Sequence, residues 1–310
     1  MREIKKIIWA SDGSKESLEA LNYAIYLARR FWAEITGMYV IEMHPRLLYD
    51  YARDPDSDLY GWVEQAAANH KARLVSEAEN AGVEGLPFRT AVLIGDPSVE
   101  IVKLARRRKA DLIVLGIRGL GLIDRMLVGS TALKVFRQSN IPVLAVKKRD
   151  KASGIEIRNI LVPLDIYEKE ESAMSYAVDL AQAFKANISV VYAYRLFAYA
   201  ALEEGEPPVG INELGEDALK FFSAELAARV EEPRQRLKTD TIETGIPGIT
   251  TDLIEGINPA MGIVEYADKK DMDLIVINTH ARKGIKKFIM GSVTEKIVQE
   301  SACPVLVIKP

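Results

Sequence analysis

The stretch Asp111-Leu-Ile-Val-Leu-Gly116-Ile-Arg-Gly119, followed after nine residues by Gly129-Ser130-Thr131, decides the fold. Leu112–Leu115 is a short continuous apolar run, the pattern of a strand covered on both faces. Gly116 follows it directly, at the strand's carboxyl edge, and Gly129-Ser130-Thr131 opens a helix. The first amides of a helix are unpaired and its dipole is positive there, so an anion is welcome. Ser130 or Thr131 can add a hydroxyl, and Arg118 and Arg125 can add charge-assisted bonds to phosphate. Gly116 and Gly119 carry no β-carbon, which is expected to let a ligand approach the backbone closely. The competing reading is that the glycines only shape a turn and Ser130 only caps a helix. The glycine pair, the spacing and the Gly-Ser occur together on one edge, which favours phosphate.

The frame recurs. Aligning Ile4 on Ile157, an offset of 153, pairs Ile7, Asp12, Tyr23, Leu27, Phe31 and Tyr39 with Ile160, Asp165, Tyr176, Leu180, Phe184 and Tyr192. Further on the offset is 162, and Pro97, Asp111, Gly129, Ser130 and Pro142 meet Pro259, Asp273, Gly291, Ser292 and Pro304. A repeat this long is a duplicated domain, whose second copy carries nine extra residues in its middle (162 − 153). The expected domains are 1–148 and 156–310, with the polar run Lys147–Gly154 as linker.

Each copy alternates strand and helix. In the first, apolar runs predict strands over 7–10, 35–41, 88–93, 112–115 and 143–146, and helical spacing predicts helices over 15–32, 59–81, 97–109 and 130–139. Ser14 is the expected N-cap of the first helix, with Leu18, Leu21, Ile25 and Ala28 inward. Trp62, Ala66, Leu74 and Ala78 are the expected inner face of the second. The second copy is read the same way, with strands near 159–163, 188–193, 241–244, 274–277 and 305–308 and helices near 169–185, 213–238, 259–270 and 292–301. The aromatic segments Arg46–Asp58 and Tyr192–Pro208 read as connections or covers of an interface. The fold class is α/β: two tandem, doubly wound, five-stranded, mainly parallel sheets with helices on both faces. Such sheets bind ligands beyond the carboxyl ends of their strands. Asp12 ends the first strand at that edge and is repeated as Asp165. It can accept from a ribose hydroxyl or hold a metal near phosphates, or simply make an Asx turn. Val40, at the end of the second strand, could offer backbone groups to a base.

Composition excludes several classes. With 310 residues, 48% hydrophobic and 27% charged, either half can bury a core. A net charge of −3 gives a nucleic-acid surface no electrostatic support. The single cysteine, Cys303, forms no internal disulfide. No stretch reaches the roughly 18 apolar residues of a membrane span, and the N-terminal apolar run is too short for a signal peptide, so a cytoplasmic protein is expected. There is no G-x4-G-K-[ST] run, no third glycine of a dinucleotide fingerprint, and no S-G-G-x-D-S run near the first strand. His44, His70 and His280 lack metal-ligand spacing.

The Asp12 strand end, Gly95-x-Pro97, the Leu-Ile-Val-Leu run into Gly116-x2-Gly119-x9-Gly129-Ser130 and the closing Pro142-Val-Leu resemble the universal stress protein family. The second half shows the same frame in Asp165, Pro259, Gly291-Ser292 and Cys303-Pro-Val-Leu-Val. The resemblance covers nearly the whole chain as two tandem family domains. It implies a Rossmann-like, adenine-nucleotide-binding five-stranded α/β sandwich. It also implies that members with the full glycine loop bind ATP, or ADP or AMP, with Mg²⁺. Carried over position by position, it implicates Asp12, Val40, Gly116, Gly119, Gly129 and Ser130 around adenosine and phosphates. Arg118 and Thr131 join them from the reading of the loop.

The second half departs from this pattern. Asn278 and Ala281 replace the first two glycines, and Ile166-Tyr167 replace Gly13-Ser14. The expectation is a nucleotide-binding first domain and a second domain that serves mainly as its structural partner. The two would pack through their last strands, and two such chains could associate further as a homodimer. No residue set forms a nucleophile–base pair, so the leading reading is a stress-linked binding or signalling module rather than an enzyme. The rivals are a slow nucleotide hydrolase or adenylyl-transfer enzyme using the same cleft, and a nucleotide-free scaffold or binder of another ligand in the second half.

Overall fold

The computed structural model describes residues 4–54, 57–117, 129–147, 154–167, 172–194, 211–239, 248–256, 258–279 and 290–309. They divide into two compact units whose main boundary lies between Ile155 and Glu156. In the first, β1 (Lys6–Ala10), β2 (Glu34–Glu42), β3 (Phe88–Gly95), β4 (Leu112–Gly116) and β5 (Val143–Val146) pair in the order β3-β2-β1-β4-β5. Every pairing is parallel. The central strands are apolar because both faces are covered: Ile7, Ile8, Trp9, Ile113 and Val114 are all at most 1% exposed. Strand order reverses between β1 and β4, so a crevice opens where those strands end.

The connecting helices are α1 (Lys15–Phe31), α2 (Pro45–Arg53), α3 (Asp58–Asn80), α4 (Pro97–Arg108) and α5 (Ser130–Gln138). Right-handed crossovers place α1 and α3 on one face and α4 and α5 on the other. Local chemistry fixes their starts. Ser14 caps α1 by accepting from the Ser17 amide at 3.1 Å. Pro97 occupies the first turn of α4, and the Asp96 side chain accepts from the Ser98 and Val99 amides. The Ser98 hydroxyl, more than those amides, holds the Asp96 carboxyl below the usual carboxylate range. The folded state therefore favours the ionised form, and that stability is present at neutral pH and lost as pH falls through the lowered value. Asp96→Ala is expected to cost about 1 kcal/mol at pH 7, with the gap to the parent closing below about pH 4. Urea unfolding at both pH values checks it; an equal gap at both would refute the ionised cap.

Three expectations are corrected. Pro45–Arg53, read as part of a connection, is the helix α2, and Tyr51 on it stacks on Tyr60 of α3 at 5.1 Å. Trp62, expected inside, is 62% exposed, and the inner face of α3 runs through Val63, Leu74 and Ala78. Leu18 on α1 is 37% exposed, while Leu21, Ile25 and Ala28 are buried.

The second unit holds β6 (Asn159–Pro163), β7 (Asn187–Tyr194), β8 (Ile249–Glu255), β9 (Leu274–Asn278) and β10 (Val305–Ile308). They pair in the order β8-β7-β6-β9-β10, again all parallel. Its helices are α6 (Ser172–Phe184), α7 (Ile211–Thr239), α8 (Pro259–Lys269) and α9 (Ser292–Glu300). The strand expected near 241–244 falls outside the described residues. The strand that pairs with β7 is Ile249–Glu255, whose run of β-branched residues suits a pleated edge. Cys303 is buried. No described helix is long and apolar enough to cross a membrane.

Candidate functional site

A cleft of about 350 Å³ opens at the carboxyl edge of the first sheet. Its volume lies within the range of small-molecule sites, roughly 300–1,000 Å³. Asp12, Val40, Gly116, Gly129, Ser130 and Thr131 all line it. Arg118, Gly119 and Arg125 lie outside the described residues. Sequence reasoning missed other lining residues, among them Met38, Tyr39, Glu42, Pro97 and Ile101. The signal was available: Met38 shares a strand face with Val40, and Pro97 and Ile101 share a helix face.

The site's chemistry is mixed. Gly129 caps α5 without a side-chain hydrogen bond, and the helix's first turn holds no acidic residue. Its leading amides and positive end therefore face the cleft beside the Ser130 and Thr131 hydroxyls. Asp12 both lines the cleft and makes the Asx turn, its Oδ1 accepting from the Ser14 amide at 2.9 Å. Asp165 makes the same turn with the Tyr167 amide at 2.9 Å, so the turn needs no ligand. Among the described residues no three His, Cys, Asp or Glu side chains gather as a metal site.

Gly116 has a structural role beyond the one expected. A β-carbon there would lie 2.5 Å from the Glu16 carbonyl carbon and 2.6 Å from the Ser17 amide nitrogen. The close approach that the missing β-carbon permits is that of α1's first turn, while Gly116 also lines the cleft.

The matching strand end in the second unit carries different contacts. Asn278, at the Gly116 position, is 9% exposed. Its Oδ1 accepts from the Ser172 hydroxyl at 2.7 Å and the Ala173 amide at 2.9 Å, at the start of α6. The fully buried Thr294, matching Ala132, donates its hydroxyl to the Asn278 carbonyl at 3.1 Å. Glu295 places a carboxylate in the first turn of α9, where α5 has Leu133. Aromatic rings occupy the neighbouring edge. Tyr167 meets Tyr192 edge-on at 6.5 Å, and Phe222 packs on Tyr192 at 5.2 Å. Burial chiefly pushes the Tyr192 phenol up to about 12, with Tyr167 and Asp165 adding to it. Ala281 and its neighbouring cations lie outside the described residues.

Asn278 thus serves as a cap. Asn278→Ala is expected to cost about 1–2 kcal/mol, because the Ala173 amide and Ser172 hydroxyl lose their shared acceptor. Asn278→Asp, which keeps an acceptor oxygen, should stay closer to the parent. Urea unfolding ranks the three proteins, and an alanine variant as stable as the parent would exclude the capping role.

A family model described as the universal stress protein family matches residues 3–147 and again residues 156–309. A universal stress protein of Mycolicibacterium smegmatis is 26% identical over 309 residues, spanning 98% of this chain and 97% of that protein. One from Methanocaldococcus jannaschii is 34% identical over 148 residues, spanning 47% of this chain and 84% of that protein. The crystal structure of a universal stress protein from Archaeoglobus fulgidus has a TM-score of 0.67 at 20% identity and covers 99% of each chain, a likeness of fold.

Proposed function

Because this chain belongs to the universal stress protein family, with two of its domains in tandem, we propose that it binds ATP, or ADP or AMP, in its first domain and acts as a stress-response binding or signalling module in the cytoplasm. One observation carries the reading. The cleft at the strand-order reversal brings Asp12, Val40 and the uncapped α5 start at Gly129–Thr131 around a single volume. In this reading the adenosine lies towards Asp12 and Val40, and the phosphates meet the α5 amides and the Ser130 and Thr131 hydroxyls. Arg118 and Gly119 complete the phosphate loop. Mg²⁺ fits as an ion held by Asp12 and the nucleotide's own phosphates, since Mg²⁺ commonly takes one or two carboxylates and keeps several waters.

The second domain is the structural partner. In place of Gly116 it carries Asn278, whose side chain bonds the start of α6, and its α9 start carries Glu295. Calorimetric titration of the full chain with ATP and Mg²⁺ is expected to give one site per chain, and mass spectrometry of the purified protein should detect retained adenine nucleotide. Two equivalent sites, or none, would refute the assignment. Steady phosphate or pyrophosphate release over many turnovers would favour the enzyme reading instead.

A further inference from the structure

Each domain sends an arginine from the long helix between its second and third strands to the turn that ends its first strand. On α7, Arg229 donates from Nη2 to the Ile166 carbonyl at 2.6 Å. On α3, Arg73 Nη1 lies where a β-carbon on Gly13 would be 2.7 Å away, a place kept open by glycine at φ +79°. Gly13 and Ile166 are equivalent at the offset of 153. Each arginine also precedes a fully buried aliphatic residue, Leu74 or Val230. The same support has therefore been built twice with different contacts.

In the first domain the support continues into the turn. Arg73 Nε pairs with Glu77 Oε1 at 3.4 Å. The Ser11 hydroxyl donates to Glu77 Oε2 at 3.3 Å, and the Gly13 amide donates to Ser11 Oγ at 3.2 Å. The guanidinium also rests over the Tyr39 ring at 4.9 Å, and His70 stacks on that ring at 3.7 Å. Ser11, Asp12 and Tyr39 line the cleft, and Arg73 and Glu77 back them from α3. Arg73 Nε meets Glu77 as an ion pair rather than a hydrogen bond, and Nη2 makes no hydrogen bond.

We propose that Arg73 is a positioning residue for the first-domain cleft. With Glu77 it fixes the Ser11–Gly13 turn and the Tyr39 ring, so that Asp12 and the end of β2 are preset for an adenosine-bearing ligand. The inference rests on the nucleotide reading above.

The test uses the full chain, with ATP titration and amide hydrogen exchange side by side. Arg73→Met is expected to weaken ATP about tenfold and to speed exchange at Gly13 by a similar factor, a loss of about 1.4 kcal/mol. Amides inside β4, such as Ile113, should keep parent protection. Arg73→Lys should recover part of both losses, and Arg229→Met should leave ATP affinity unchanged. Parent values for both readouts in Arg73→Met, or equal loss of protection throughout the domain, would overturn the proposal. If Arg73→Met does not fold, Glu77→Gln decides, since it breaks the ion pair at constant volume and should shift both readouts the same way. Failure of the parent to bind any adenine nucleotide would sink the nucleotide reading, and the exchange arm would still decide whether Arg73 holds the turn.

Discussion

Gly116→Ala is expected to destabilise the first domain by about 3 kcal/mol, at the upper end of what overpacking costs. The added carbon would lie 2.5 Å from the Glu16 carbonyl carbon and 2.6 Å from its oxygen. Those are backbone atoms of a helix that is itself held in place. The Trp9 indole donates to the Ser17 carbonyl at 2.8 Å, and Ser14 caps the same turn. Relief therefore requires moving the start of α1 as a unit, since no side chain can simply rotate away. That start follows the Asp12 turn, so ATP affinity should fall with stability. Urea unfolding and calorimetric titration check the two effects. A variant with parent stability would show that the helix yields freely, and parent affinity in a destabilised variant would detach the turn from the cleft.

The Gly116 result also shows what the sequence could and could not convey. The duplicated frame, the parallel order and the cleft's edge were legible because they rest on period, apolar runs and strand ends. Asp12, Val40, Gly129, Ser130 and Thr131 come together as those features require. The partner of a glycine is not written in its own neighbourhood. Gly116 looks ligand-facing in sequence, yet its neighbour is Glu16, a hundred residues earlier. Asn278 likewise reads as a lost glycine, and only its bonds to Ser172 and Ala173 reveal a gained cap. Trp62 lies outside because steps of four residues drift around a helix of about 3.6 residues per turn, and the row through Leu74 and Ala78 reaches Val63 instead. Ile249–Glu255 is short and β-branched, and its place beside β7 is a tertiary pairing that local composition does not reveal. The Arg73–Glu77 pair was visible as a four-residue spacing on a helix, but such pairs are usually solvated, and its contact with the Ser11 turn is purely tertiary.

Leu133→Glu is expected to weaken ATP binding about tenfold in low salt, because it gives α5 the charge that α9 already carries in Glu295. A helix start attracts an anion through its unpaired amides and its positive end. A carboxylate in the first turn satisfies that field itself and repels a phosphate placed there. At a separation of about 6 Å each charge pair is worth roughly 0.7 kcal/mol in water, and a polyphosphate brings several charges. The repulsion is screened by salt, so the loss should shrink towards 1 M. It should also be smaller for AMP than for ATP. Leu133 is half-buried, so packing must be separated from charge, and Leu133→Gln does this by keeping the shape without the carboxylate. The glutamine variant should bind ATP within about twofold of the parent, a change of roughly 0.4 kcal/mol. Equal losses in both variants would assign the effect to packing and leave the α5 start without a phosphate. The reverse change, Glu295→Leu, should not create a second site. Asn278 and Ala281 still stand where the first domain has Gly116 and Gly119, and relieving repulsion at one position does not restore that loop.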